Sequence, residues 1–269
     1  MKLKLTPKTG LLTVLFYLVV SIGIALFTAI FFGGGDSAAE ERVIDGYIDS
    51  GMYAIIGVAV IMLFISFYVF RESSRDIFFE KKQFALSKLY FLVPLAEIAV
   101  IVVALSQVDF LAYSTSDILR VILLTIAIGI NEEIVTRGIL LVGLRNGGLA
   151  EWKVFVITLV VFSVLHLVNL ISGGSLIYLL IVATGGVVYY VTRRVFNTLW
   201  AAIGIHALHD IAFYLLPGSY AVDANLPDNV LNVQFGVFLF LLVVSSLFLV
   251  FGRRLLKNET TGWSYDETG

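Results

Sequence analysis

Eight runs of about 20 mainly apolar residues dominate the chain, and a helix of that length crosses the roughly 30 Å hydrocarbon core of a bilayer. They cover about 11–32, 52–70, 89–106, 118–144, 153–171, 175–192, 198–216 and 231–251. Backbone groups inside lipid need internal partners, so the expected fold is all-α: a polytopic membrane helix bundle with about eight transmembrane helices. Of the 269 residues, 59% are apolar and 14% charged, against about 45 to 50% and about a quarter in soluble domains. A water-soluble globule is thereby excluded, and the lipid bilayer is one partner. A formal charge of −2 gives no basis for a nucleic-acid partner. The chain has no cysteine, which removes disulfides and thiolate metal sites, so any metal would rest on His and carboxylate.

Basic residues set the expected orientation, because Lys and Arg are retained on the cytoplasmic side. With eight spans and a cytoplasmic N-terminus, every Lys and Arg except Arg42 and Arg120 falls on or toward that side. Lys2, Lys4 and Lys8 lead, Arg145, Arg193 and Arg194 follow, and Arg253, Arg254 and Lys257 close the series. Both termini are expected in the cytoplasm. Trp152 and Trp200 open the fifth and seventh spans on that face, as an interfacial belt would. The first run is longer than a signal-peptide core of about 7 to 15 residues and is kept as a helix. The organisation expected is a single integral membrane domain over 1–256, with a motif-bearing core at about 118–216 and a disordered cytoplasmic tail over 257–269. The longest connection, 71–88, carries Ile77, Phe78, Phe79 and Phe84 among Arg75, Lys81 and Lys82. It reads as an amphipathic piece in the interface or as a solvated loop.

Ionisable groups at membrane depth cost about 2.5–3.5 kcal/mol or more, so each demands a partner or a purpose. Within the spans they are Glu97, Glu132, Glu133, Arg137, His166, His206, His209 and Asp210, which include all three histidines of the chain. At about 1.5 Å per residue, Glu132 lies about 18 Å in from Leu144 and His166 about 18 Å from Val154; His206 and Asp210 lie about 14 and 20 Å from Asn197. Three helices therefore present acid and imidazole at one level. His206 and Asp210, four apart, share a side of their helix, while Glu132 and Glu133 point about 100° apart. Glu133 and Arg137 have the favourable i, i+4 order of an ion pair and are read as structural. Glu132 is left for chemistry. A carboxylate and an imidazole in a dry cavity can deprotonate water, with donors across the cavity stabilising an oxyanion; two His and a Glu also suit a zinc ion with an open position. Both mechanisms stay open. His209 and Asn131 read as packing groups, and Glu97 as serving backbone loosened by Pro94.

Other membrane-protease signatures are weak. No H-E-x-x-H is present. Gly33-Gly34-Gly35-Asp36 matches a G-x-G-D string, yet it sits at a helix end without a second intramembrane aspartate, and Gly173-Gly174-Ser175 reads as a turn. In contrast, Glu132 to Arg137 reads E-E-x-x-x-R, Phe162 to His166 reads F-x-x-x-H, and His206 to Asp210 reads H-x-x-x-D. These strings, in this order on successive apolar helices, resemble the CPBP intramembrane proteases, the family of type II CAAX prenyl endopeptidases and bacteriocin-processing relatives. The likeness covers about 118–216.

The resemblance implies an eight-helix fold with a conical cavity, in which Glu132 and His166 activate water while His206 and Asp210 stabilise the oxyanion or complete the site. It implies either zinc, held by Glu132, His166 and His206, or a metal-free glutamate mechanism. The third string ends in Asp where the eukaryotic CAAX enzymes carry Asn; an ionised Asp accepts hydrogen bonds but cannot donate to an oxyanion. The implied partner is a membrane-associated protein or peptide substrate, be it a prenylated tail, a bacteriocin leader or a membrane-anchored protein. The expected place is the plasma membrane of a prokaryote. The rival reading is a non-catalytic scaffold or bacteriocin-immunity protein that keeps the fold. A transporter is disfavoured by the lack of broken helices in paired halves.

Overall fold

A computed structural model describes residues 3–32, 43–80, 88–167 and 176–216, with helical positions at 232–233, 235–237, 239–240 and 243. The eighth expected span falls mostly outside these residues, and the expected tail, Gly33 to Asp36, Asn169 and Gly173 to Ser175 fall wholly outside them.

The described residues form helices and no strand, apart from a single isolated bridge between Phe79 and Thr198. The long elements are α1 (Pro7–Phe32), α2 (Val43–Phe64), α4 (Leu92–Leu105), α5 (Thr115–Glu133), α7 (Glu151–Leu165), α8 (Leu176–Phe196) and α9 (Leu199–Tyr214). Two short helices, α3 (Ser74–Phe78) and α6 (Leu141–Asn146), complete the set. Among the described residues three stretches are long and apolar enough to cross a membrane: Pro7–Ile24, Gly51–Val69 and Leu179–Phe196. Two other described helices are shorter than a full crossing. The 14 residues of α4 cover about 21 Å and the 16 of α9 about 24 Å, against a core of roughly 30 Å.

Helix α5 starts at a capping box in which Ser114 and Asp117 satisfy each other's backbone N–H groups. It runs without a break into a π-helical segment, Ile134–Leu140, and then into α6. The expected helix over 118–144 is therefore present but carries a widened turn in its middle. There the Leu141 N–H reaches back to Thr136 O, five residues away.

Helix α9 is central, packing on α5, α8 and α4. Its approach to α5 is close at Gly129, where a Cβ would stand 3.1 Å from the Ile203 carbonyl oxygen and 3.7 Å from Ala207 Cβ. That approach brings the residues following Gly129 alongside His206.

The described part of the 71–88 connection is packed against the helices rather than a solvated loop. Ile77 and Phe78 are buried in the core, and Phe78 stacks between Phe67 and Trp200. Arg145, Arg193 and Arg194, which the sequence reading puts toward the cytoplasmic face, are buried within the protein. They surround Glu80 and Glu151. Glu80 binds Arg145 at 2.8 Å, Arg193 at 2.9 Å and Arg194 at 3.2 Å, while Glu151 pairs with Arg145 and accepts from the Tyr190 hydroxyl at 2.5 Å. Burial alone would raise the pKa of Glu80; the three guanidinium groups outweigh it and hold this carboxyl far below the usual range. This knot ties the connection after α3 to α6, α7 and α8. Asn197, in the left-handed conformation at φ 57°, ends α8, and its carbonyl accepts from the Glu80 N–H at 3.1 Å.

Candidate active site

Helix α5, the π segment and α9 carry most of the polar groups at this depth. Glu133, the last residue of α5, is completely buried and accepts through Oε1 from Arg137 Nη1 at 2.8 Å and from His206 Nδ1 at 3.0 Å. The expected ion pair is therefore present, but Glu133 has a second task that spacing alone does not reveal: it orients His206. Arg137 is held further by the Gly186 carbonyl at 3.0 Å and lies 3.9 Å over the Phe162 ring. A buried guanidinium with carboxylate, carbonyl and aromatic partners is what keeps such a charge tolerable away from water.

Glu132 projects the other way. Its Oε2 is buried and accepts no hydrogen bond within the described residues. Facing that oxygen are His166 Nε2 at 3.4 Å and His206 Nε2 at 3.8 Å. Asp210 Oδ2 stands 3.7 Å from His206 Nε2. The structure thus brings together Glu132, His166, His206 and Asp210 from three separate helical stretches, beside the Glu133–Arg137 pair.

Local structure settles the tautomers. His166 stands at the C-cap of α7, and residues 168–171 of the expected span lie outside the described residues. Its backbone N–H bonds to Ser163 O at 3.2 Å, a tightened last turn, and its Nδ1–H donates to Phe162 O at 2.9 Å. A carbonyl oxygen only accepts, so Nδ1 carries a hydrogen, and Nε2 is the nitrogen that faces Glu132. In His206 the carboxylate at Nδ1 fixes the hydrogen there by the same logic.

Sequence reasoning missed Tyr189. This buried ring lies parallel to His206, with centroids 4.3 Å apart and planes inclined by 11°. Together with Glu133 it fixes the imidazole plane. The one signal was a tyrosine pair, Tyr189 and Tyr190, in an otherwise apolar run. Glu97 and His209 also differ from expectation: rather than serving loosened backbone and plain packing, they pair with each other, Oε1 to Nδ1, at 2.5 Å. Asn131 keeps its packing role, donating to Ile55 O at 3.1 Å.

Residues 114–212 match the family model described as Type II CAAX prenyl endopeptidase Rce1-like. The match covers the motif-bearing part of the chain. The matched segment runs from the capping box of α5 through most of α9 and so contains all three motif strings. No curated protein and no solved structure matches the chain.

A metal at this site would draw on Glu132, His166 and His206. The donor chemistry suits zinc, since both imidazoles offer Nε2 and His206 has a carboxylate behind it. The arrangement does not: although these side chains face one another, among the described residues no three His, Asp or Glu groups converge closely enough to hold a metal ion. No step below is written through one.

Proposed function

We propose that this chain is an intramembrane endopeptidase of the CAAX type, in which Glu132 activates the attacking water with His166 as its partner. The observation that carries this reading is the buried, unpartnered Glu132 Oε2 facing the Nε2 atoms of His166 and His206 at 3.4 and 3.8 Å. A water placed at the apex above Glu132 Oε2 and His166 Nε2 donates to both at about 2.8 Å, an ordinary hydrogen-bond length. Glu132 takes one proton from it as the water oxygen attacks the scissile carbonyl carbon. The resulting oxyanion needs a donor, and His206 supplies Nε2–H when doubly protonated, its ring held by Glu133 and Tyr189. Collapse of the tetrahedral intermediate breaks the C–N bond. The proton held by Glu132 passes to the leaving nitrogen and the second water proton leaves the new carboxyl through His166 Nε2, so the products are a carboxylate and an amine. Asp210 acts on His206 rather than on substrate in this scheme, because an ionised carboxylate has no hydrogen to offer an oxyanion.

The proposal extends to placement. The chain is integral to the membrane, crosses it about eight times and leaves both termini in the cytoplasm, on the grounds of the apolar runs and the distribution of Lys and Arg. Its substrate is a membrane-associated peptide or protein, with a prenylated C-terminal tail the first choice because of the matched family model.

The test is product identification. The full chain, reconstituted in liposomes, is offered a farnesylated CAAX peptide, a bacteriocin leader peptide and a single-span membrane protein, and products are read by mass spectrometry. One new carboxyl end in at least one substrate is expected. No cleavage of any of them by a folded preparation would favour the scaffold reading instead.

A further inference from the structure

Arg193 lies outside all three motif strings, yet its completely buried guanidinium joins the Glu80 knot to the segment that carries Arg137. From α8 its Nε donates to Glu80 Oε1 at 2.9 Å, its Nη2 to Asp76 O at 2.8 Å, and its Nη1 to Ile77 O at 2.8 Å and to the carbonyl of Arg137. The last contact falls inside the π-helical segment. A widened turn has no single preferred register, and such turns concentrate at functional sites. Arg193 clamps this one to the end of α3 through three carbonyls and one carboxylate. The consequence runs along the same turn: Arg137 holds Glu133 at 2.8 Å, and Glu133 holds His206 Nδ1 at 3.0 Å.

We propose that Arg193 is a positioning residue of the active site, fixing through the Arg137 carbonyl the turn from which Arg137 and Glu133 set the orientation of His206. Its planar fork is essential to this, because a lysine ammonium carries a point charge that cannot reach the Glu80 carboxylate and three carbonyls at once. The inference rests on the functional reading above only for its kinetic readout; the spectroscopic one stands without it.

The experiment uses R193K in the full chain, with histidine-selective ring-nitrogen NMR in detergent. The three histidines give three ring systems, each with its own neighbours. The expected result is a displaced His206 pair of resonances with those of His166 and His209 in place. On a cleaved peptide substrate, kcat should fall about 10²-fold with KM unchanged, the pattern of a reacting group moved out of line rather than of a weakened binding site. His206 resonances that stay put in folded R193K overturn the proposal, as does a loss confined to KM. If R193K does not fold, the double variant R193Q/E80Q, which removes both buried charges together with the reach to the Arg137 carbonyl, gives the same NMR readout. Displacement of His206 there supports the clamp, and no displacement overturns it. A wild-type chain that cleaves nothing would defeat the protease reading but leave the NMR result to decide this one.

Discussion

Glu133 Oε1 stands 3.0 Å from His206 Nδ1 and is the same oxygen that accepts from Arg137. One buried carboxylate atom therefore neutralises a guanidinium and orients an imidazole, so structural and chemical roles cannot be separated at this position.

The first prediction follows from that sharing. E133Q should lower both thermal stability and turnover, since removing one partner of a buried ion pair costs about 3–5 kcal/mol. H206Q leaves the Arg137–Glu133 pair intact and should lose turnover with a smaller fall in midpoint. Thermal unfolding in detergent, set beside peptide cleavage for the two variants, checks the contrast. Equal midpoints for E133Q and wild type would contradict it.

Gly186 is where α8 meets Arg137. A Cβ there would stand 2.6 Å from Leu159 Cδ1 and 3.1 Å from Arg137 Nη2. G186A is expected to destabilise by about 1–3 kcal/mol through overpacking and to disturb the Gly186 carbonyl that Arg137 uses. G204A, at a position with open space around it, is the control and should leave the unfolding midpoint nearly unchanged.

The Glu80 knot predicts a pH dependence. Glu80 in the folded chain titrates well below its ordinary value of 4.5, and Glu151 is likewise lowered, Arg145 and Arg194 outweighing its burial. A depressed folded pKa contributes stability that is fully present above the unfolded value and is lost as pH falls toward the folded one. The thermal midpoint of the wild type should therefore drop as pH is taken below about 4.5. E80Q should begin from a lower midpoint at neutral pH and fall less steeply. Parallel curves for the two proteins would argue against the knot.

Much of the site was legible before the structure. The Glu133–Arg137 pair and the shared side of His206 and Asp210 follow from helix spacing, and the convergence of Glu132, His166 and His206 follows from their common depth. What escaped has physical causes. Arg145, Arg193 and Arg194 sit near helix ends, where basic residues ordinarily meet the membrane surface, and their carboxylate Glu80 comes from a connection more than a hundred positions away from Arg193. Spacing cannot reveal such a partner. The bond from the His166 ring to the Phe162 carbonyl sets side chain against backbone, which an apolar run does not register. The π turn after Glu133 is invisible to any periodicity built on the regular helix. Glu97 and His209 looked dispensable singly and pair only once α4 lies against α9.

Metal removal separates the two chemistries. The metal-free scheme proposed above predicts that cleavage survives exhaustive chelation and that metal analysis of the purified chain finds no stoichiometric zinc. Zinc bound one to one in the wild type and lost in H166A would instead establish the metal form of the mechanism, with Glu132, His166 and His206 as ligands.

The central claim is that Glu132 is the base. Its most direct test is cleavage by E132Q in liposomes, with fold monitored by thermal unfolding. The glutamine keeps the shape but cannot take a proton, and the account predicts a fall of at least about 10²–10⁴-fold in kcat at an unchanged midpoint. Cleavage by folded E132Q at the wild-type rate would contradict it.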